Sequence, residues 1–168
     1  MNHIVLYCPE VPPNTGNIMR TCAALNFKLH LIEPLGFDLD EKHLKRAGMD
    51  YIDFLDYTLY PDFEHFKVAN KGRYICFSRY GLKSFGEFKY HENDEDIYLI
   101  FGKESTGIPR EILRDYLDDT YRLPMVKEAR SLNLSNCAAI GAYELLRQQG
   151  FKGLSDREVI KGEDWILK

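Results

Sequence analysis

The sequence predicts an α/β fold: a mainly parallel sheet with helices on both faces. Two observations lead there. Short apolar runs alternate with segments whose apolar residues recur at helical spacing, the pattern of strand–helix–strand units. Most of the runs also close on glycine, proline or a polar turn, and the 168 residues, 45% of them hydrophobic, suffice for one domain with its own core.

The elements follow in order along the chain. His3 to Tyr7 reads as a buried strand. Cys8 to Thr15 reads as a loop stiffened by Pro9, Pro12 and Pro13. Asn14-Thr15 offers an N-cap, and Ile18, Thr21, Cys22 and Leu25 then form a helical stripe. Lys28 to Ile32 is a second strand. A helix is expected from about Asp40 to Gly48, a weakly alternating strand over Tyr51 to Tyr57, and a short helix over Pro61 to Ala69 with its proline at the start. Arg73 to Ser78 and Ile97 to Phe101 are strands, the latter the most apolar of all. A helix over Pro109 to Leu117 and a short strand over Tyr121 to Met125 precede the longest helix, Asn133 to Gln149, closed by Gly150. The tail is polar until Trp165-Ile166-Leu167, a cluster expected to dock. No repeat or linker interrupts the chain, so one domain over 1–168 is expected.

Composition narrows the chemistry. The net charge of −4 argues against a broad nonspecific grip on nucleic acid, while leaving room for a local basic patch. No run approaches a membrane span, and Met1 to Tyr7 has no signal-peptide pattern. Cys8, Cys22, Cys76 and Cys137 form no CxxC pair and sit among apolar neighbours, as reduced thiols of a cytoplasmic protein would. The five histidines show no ligand spacing, so no metal is expected.

Three loops at strand ends are natural site candidates in an open α/β sheet: Ser78–Gly81, Gly102–Gly107 and Pro124–Leu132. The middle one, Phe101-Gly102-Lys103-Glu104-Ser105-Thr106-Gly107-Ile108-Pro109, is neither a Walker A nor a GxGxxG loop. Glu104 would repel a phosphate. A plain turn and a ligand-facing loop both fit it. In the third, Arg130-Ser131-Leu132-Asn133-Leu134-Ser135-Asn136 crowds polar groups at a helix start. Capping would use one or two of them, and a binding role would use the others. The N-terminal segment Asn14-Thr15-Gly16-Asn17-Ile18-Met19-Arg20 fits either a capped helix with a solvated arginine or a site with Arg20 one turn beyond its polar face.

Together these segments resemble the three ordered motifs of the SPOUT superfamily of RNA methyltransferases. Within it the chain is most similar to the small tRNA (cytidine/uridine-2′-O-)-methyltransferases of the TrmL or YibK type, from His3 to about Gly150. The resemblance implies a C-terminal trefoil knot, which general topology rules would not predict. It implies S-adenosylmethionine held largely by main-chain groups at Phe77, Gly102, Leu123 and Ser131. It implies 2′-O-methylation of the wobble nucleotide in a tRNA anticodon stem-loop, and a homodimer that shares Arg20 across its interface. Arg20 would be catalytic, as a phosphate clamp or alkoxide stabiliser, since a guanidinium is a poor base. Glu104, Asn133 and Ser135 would orient Arg20 or the ribose, and Asn14, Asn17 and Arg130 would contact substrate. Arg20, Lys45, Arg46, Lys103, Arg110, Lys127 and Arg130 are candidates for a basic RNA patch. Ala138, Gly141, Ala142 and Leu145 could pack on the sheet or on a second copy. The rivals are a SPOUT enzyme acting on rRNA or another tRNA position, a non-catalytic RNA-binding module, and a Rossmann-like nucleotide enzyme. The last is disfavoured by prolines where glycines are needed.

Overall fold

The computed structural model describes residues 1–39, 57–92 and 96–168. Among these, seven strands form one all-parallel sheet in the order β3-β2-β1-β6-β4-β7-β5. They are β1 (Asn2–Tyr7), β2 (Lys28–Ile32), β3 (Tyr57–Tyr60), β4 (Arg73–Phe77), β5 (Lys83–Ser84), β6 (Ile97–Phe101) and β7 (Thr120–Arg122). The helices are α1 (Pro12–Leu25), α2 (Phe63–Ala69), α3 (Arg110–Asp115) and α4 (Leu134–Gln148).

Period-two alternation divides the sheet into two apolar faces. Ile4, Leu6, Leu99 and Phe101 meet Ile18, Met19 and Cys22 of α1 and Ala138, Ala142 and Leu145 of α4. Val5, Tyr98 and Ile100 turn the other way, onto Phe63 and Phe66 of α2 and Leu113 of α3. Helices therefore cover both faces, as expected. The small-residue stripe of α4 packs inside its own chain, with Ala138 and Ala142 fully buried. Ile140 and Tyr143, on the outer side of α4, are 46% and 54% exposed.

Several boundaries differ from the sequence expectation. Pro12 and Pro13 do not extend a loop; they open α1, where a missing N–H costs nothing. Asn14 is therefore a buried residue of the first turn and not the cap. Asp62, not Pro61, starts α2, accepting the His65 amide at 2.9 Å. The final strand ends at Arg122, and β5, only two residues long, was too short to show periodicity. The Trp165-Ile166-Leu167 cluster does not dock. It forms a single 3-10 turn whose residues are 59%, 82% and 85% exposed. The helix expected over Asp40–Gly48, and the strand expected over Tyr51–Tyr57 apart from Tyr57 itself, lie outside the described residues.

The β4–β7–β5 corner positions the site. β7 pairs with β4 on one side and β5 on the other, yet β4 and β5 are joined directly by loop 78–82. That loop must cross the end of β7. The Ser78 amide donates to the Tyr121 carbonyl at 3.0 Å, and the Arg122 guanidinium donates to the Arg79 carbonyl at 2.8 Å. A Cβ on Gly81 would lie 2.5 Å from the Tyr121 carbonyl carbon and 2.7 Å from the Arg122 nitrogen. Only glycine lets the two segments approach this closely.

Candidate active site

A parallel sheet brings the carboxyl ends of its strands to one edge. Here the exits of β1, β4, β6 and β7 surround a cavity of about 470 Å³, within the range that holds a small organic ligand. Phe77, Gly102, Leu123 and Ser131 all line it, with Asn14, Glu104 and Asn133. Three segments far apart in the chain thus meet as the sequence suggested.

What joins them is a chain of hydrogen bonds. The Glu104 carboxylate accepts from the Glu10 amide at 2.8 Å, the Val11 amide at 3.2 Å and the Asn14 side-chain amide at 3.1 Å. It ties down the residues that lead into α1, whose first two residues are prolines with no N–H to cap. A carboxylate is also favoured by the positive end of the helix dipole. The Asn14 carbonyl then accepts from the Asn133 side-chain amide at 2.9 Å. The Asn133 carbonyl in turn caps α4, accepting the Ser135 amide at 2.9 Å, the Asn136 amide at 3.4 Å and the Ser135 hydroxyl at 2.6 Å.

A second clasp runs the other way. The Glu10 carboxylate accepts the amide and the hydroxyl of Ser105, each at 2.9 Å, and these bonds hold its carboxyl below the usual range. The 102–108 loop also closes on itself, the Gly107 amide donating to the Lys103 carbonyl at 2.8 Å. A Cβ at Gly102 would fall 2.1 Å from the Gly107 carbonyl carbon. This is more than a plain turn, because Glu104 and Ser105 in its middle are bonded to the exit of β1.

Arg20, Asn17 and Ser135 lie elsewhere. They line a shallower groove between α1 and α4, with Asn136 and Tyr143. Arg20 and Asn17 are exposed. Arg130 is exposed beside Ser131, as are Lys127 and Arg110, whereas Lys103 lines the cavity. Lys45 and Arg46 lie outside the described residues. The cavity-wall thiol of Cys137 is pushed up by burial, and burial lifts Cys76 to about 12; neither is an activated nucleophile.

The model of the SpoU rRNA methylase family matches residues 1–143. The chain belongs to that family. A Bacillus subtilis relative is 48% identical over 153 residues, covering 90% of this chain and 96% of its own. An Escherichia coli relative, named tRNA (cytidine(34)-2′-O)-methyltransferase, is 45% identical over 156 residues, covering 91% and 97%. A solved structure described as giving insights into the 2-OH methylation of C/U34 on tRNA superposes with a TM-score of 0.83 at 44% identity, covering 90% and 98%.

In this SpoU-family chain the cavity lining is mixed in character. The cavity has an apolar side, with Leu123, Met125 and Leu132, and a polar side at the 102–107 loop. Sequence reasoning missed Glu10, which stands between two apparently ordinary loop residues. It did single out the loop Ser78–Gly81, and Ser78, Arg79 and Tyr80 line the cavity, but it gave no residue of that loop a role of its own. The position of that loop at a strand end was the available signal.

Proposed function

We propose that this chain is an S-adenosylmethionine-dependent RNA methyltransferase that methylates the ribose 2′-oxygen of the wobble nucleotide in a tRNA anticodon loop. The observation that carries the reading is the meeting of the three motif loops on one cavity, tied by Glu104, Asn14 and Asn133. Support comes from the SpoU family match and from the E. coli relative named for cytidine 34 of tRNA.

S-adenosylmethionine supplies an electrophilic methyl group when bound, and the cavity suits it in size and in its mixed lining. Phe77, Leu123 and the main chain around Gly102 and Ser131 would hold it. The protein's own task is to place a ribose hydroxyl in line and to help its proton leave. Asn133 and Ser135, fixed at the start of α4, orient the ribose. Arg20 clamps the neighbouring phosphate or stabilises charge growing on the 2′-oxygen. Glu104 acts by fixing the start of α1, from which Asn14 and Arg20 project. Asn17 and Arg130 contact RNA outside the cavity.

Arg20 lines the α1–α4 groove and not the cavity wall. We therefore place it in the active site of a second copy, in a homodimer joined through the outer sides of α1 and α4. The exposed Ile140 and Tyr143 support that surface. The crossing of loop 78–82 over β7 supports a C-terminal trefoil knot, and the whole of 1–168 acts as one domain in the cytoplasm.

The test is incubation with labelled S-adenosylmethionine and either total tRNA or purified rRNA, followed by mapping of the modified nucleotide. Label at the 2′-oxygen of nucleotide 34 is expected. Because the family description names rRNA, label confined to rRNA would replace the tRNA reading, and no transfer to either would overturn the enzyme reading. Arg20→Ala should lower kcat by about a hundredfold while leaving S-adenosylhomocysteine binding intact. Sedimentation should give a dimer at micromolar concentration.

A further inference from the structure

Loop 78–82 carries an aromatic side chain that the fold does not use. Tyr80 is 69% exposed, yet it lines the cavity beside Ser78 and Arg79. An aromatic ring at the mouth of a cavity offers a π-face on which a ligand's base can stack. The backbone beneath Tyr80 is not free to swing. Its amide donates to the Ser78 hydroxyl at 3.1 Å, and the Gly81 amide donates to the Ser78 carbonyl at 3.1 Å. The Arg79 carbonyl is held by Arg122, and Gly81 is pressed against Tyr121. A pinned loop thus displays a ring to solvent. The Arg79 guanidinium carbon stands 5.4 Å from that ring's centroid, a cation–π geometry.

We propose that Tyr80 is the stacking platform for an unstacked nucleobase of the RNA beside the methylated ribose, with Arg79 covering the ring and facing the adjoining phosphate. This rests on the RNA-methyltransferase reading above. A ribose whose 2′-oxygen reaches into the cavity must leave its base stack, and the bases exposed there need new π-faces. Tyrosine offers one at low conformational cost, and arginine adds charge where the backbone passes. Nearby Leu82 is 80% exposed but does not line the cavity, so it serves as a control for general surface apolarity.

The test measures methyl transfer and RNA binding separately. Tyr80→Ala should raise KM for tRNA roughly tenfold, with kcat and S-adenosylhomocysteine affinity nearly unchanged. Tyr80→Phe, which keeps the ring, should restore most of it, and Leu82→Ala should behave as wild type. Trp165 is the single tryptophan of the chain. A Trp165→Phe background therefore makes Tyr80→Trp a local reporter, and its fluorescence should be quenched by an anticodon stem-loop RNA. An unquenched reporter under conditions where that RNA binds, or an unchanged KM in Tyr80→Ala, overturns the platform even if wild-type methylation is intact. If the wild-type chain transfers no methyl group to tRNA, the function reading fails first, and the quenching measurement still decides the platform.

Discussion

Replacing Asn133 should separate two contributions that meet in one side chain. Its carbonyl caps α4 through the Ser135 and Asn136 amides, and its amide reaches Asn14 on α1. Losing an asparagine cap costs about 1 kcal/mol. Losing the second bond leaves the carbonyl of Asn14, only 8% exposed, without that partner, at about another 1 kcal/mol. Asn133→Ala should therefore cost about 2 kcal/mol. For a chain of this length that lowers Tm by roughly 4–8 °C. Asn133→Ser keeps a capping oxygen but cannot span to Asn14, so it should lose about half as much. In an Asn14→Ala background only the cap remains to be lost, and the cycle should return a coupling of about 1 kcal/mol. Thermal unfolding by circular dichroism at one fixed protein concentration measures all four variants. The reasoning is refuted if Asn133→Ser falls as far as Asn133→Ala, or if the coupling is zero, because the bridge between the motifs would then contribute nothing.

Three further outcomes follow from the same geometry. Gly102→Ala should weaken S-adenosylhomocysteine binding by about a hundredfold in calorimetry, since the added carbon meets main chain at 2.1 Å and the loop must move; unaltered affinity would show that the loop does not shape the cofactor site. His3 is buried against His30, and burial pushes its pKa down to about 4 from 6.5, although Asp96 pulls it the other way. The unfolded chain therefore takes up this proton first as pH falls, so stability is full above pH 6.5 and declines towards pH 4, by about 1.4 kcal/mol per pH unit from this group. His3→Gln should flatten that slope in urea titrations between pH 7 and 5, and an equal slope in the variant would exclude His3 as its source. Glu104→Gln should destabilise the chain by about 1–2 kcal/mol, because one of the acceptors serving Glu10, Val11 and Asn14 becomes a donor; a neutral result would show that the entry into α1 does not depend on this carboxylate.

Much of the fold could be read from residue patterns. β2 and β6 have the bounds their apolar runs implied, and α4 begins where Asn133 offers its cap. The three loops at strand ends were also legible, since parallel strands send their carboxyl ends to one edge. The start of α1 was misread. The group that holds the chain entering it, and the Asn14 side chain, is ninety residues away on Glu104, and local pattern carries no information about an anchor supplied from another loop. The docking of Trp165-Ile166-Leu167 was misread for a related reason. An apolar cluster asks for a partner, but only the folded surface determines whether one is within reach.

The amino-acid sequence by itself determined the parallel α/β class, the apolar faces and the set of polar side chains available to a site. These are local properties, fixed by periodicity and residue chemistry. The tertiary structure alone decided that Glu104 holds α1, that Asn14 joins Asn133, that Arg20 lies in a groove apart from the cavity, and that Tyr80 stands at its rim. Each of those depends on how strands β1, β6, β4 and β7 lie beside one another. Sheet order is set by packing between residues distant in the chain, and no short window of sequence contains it.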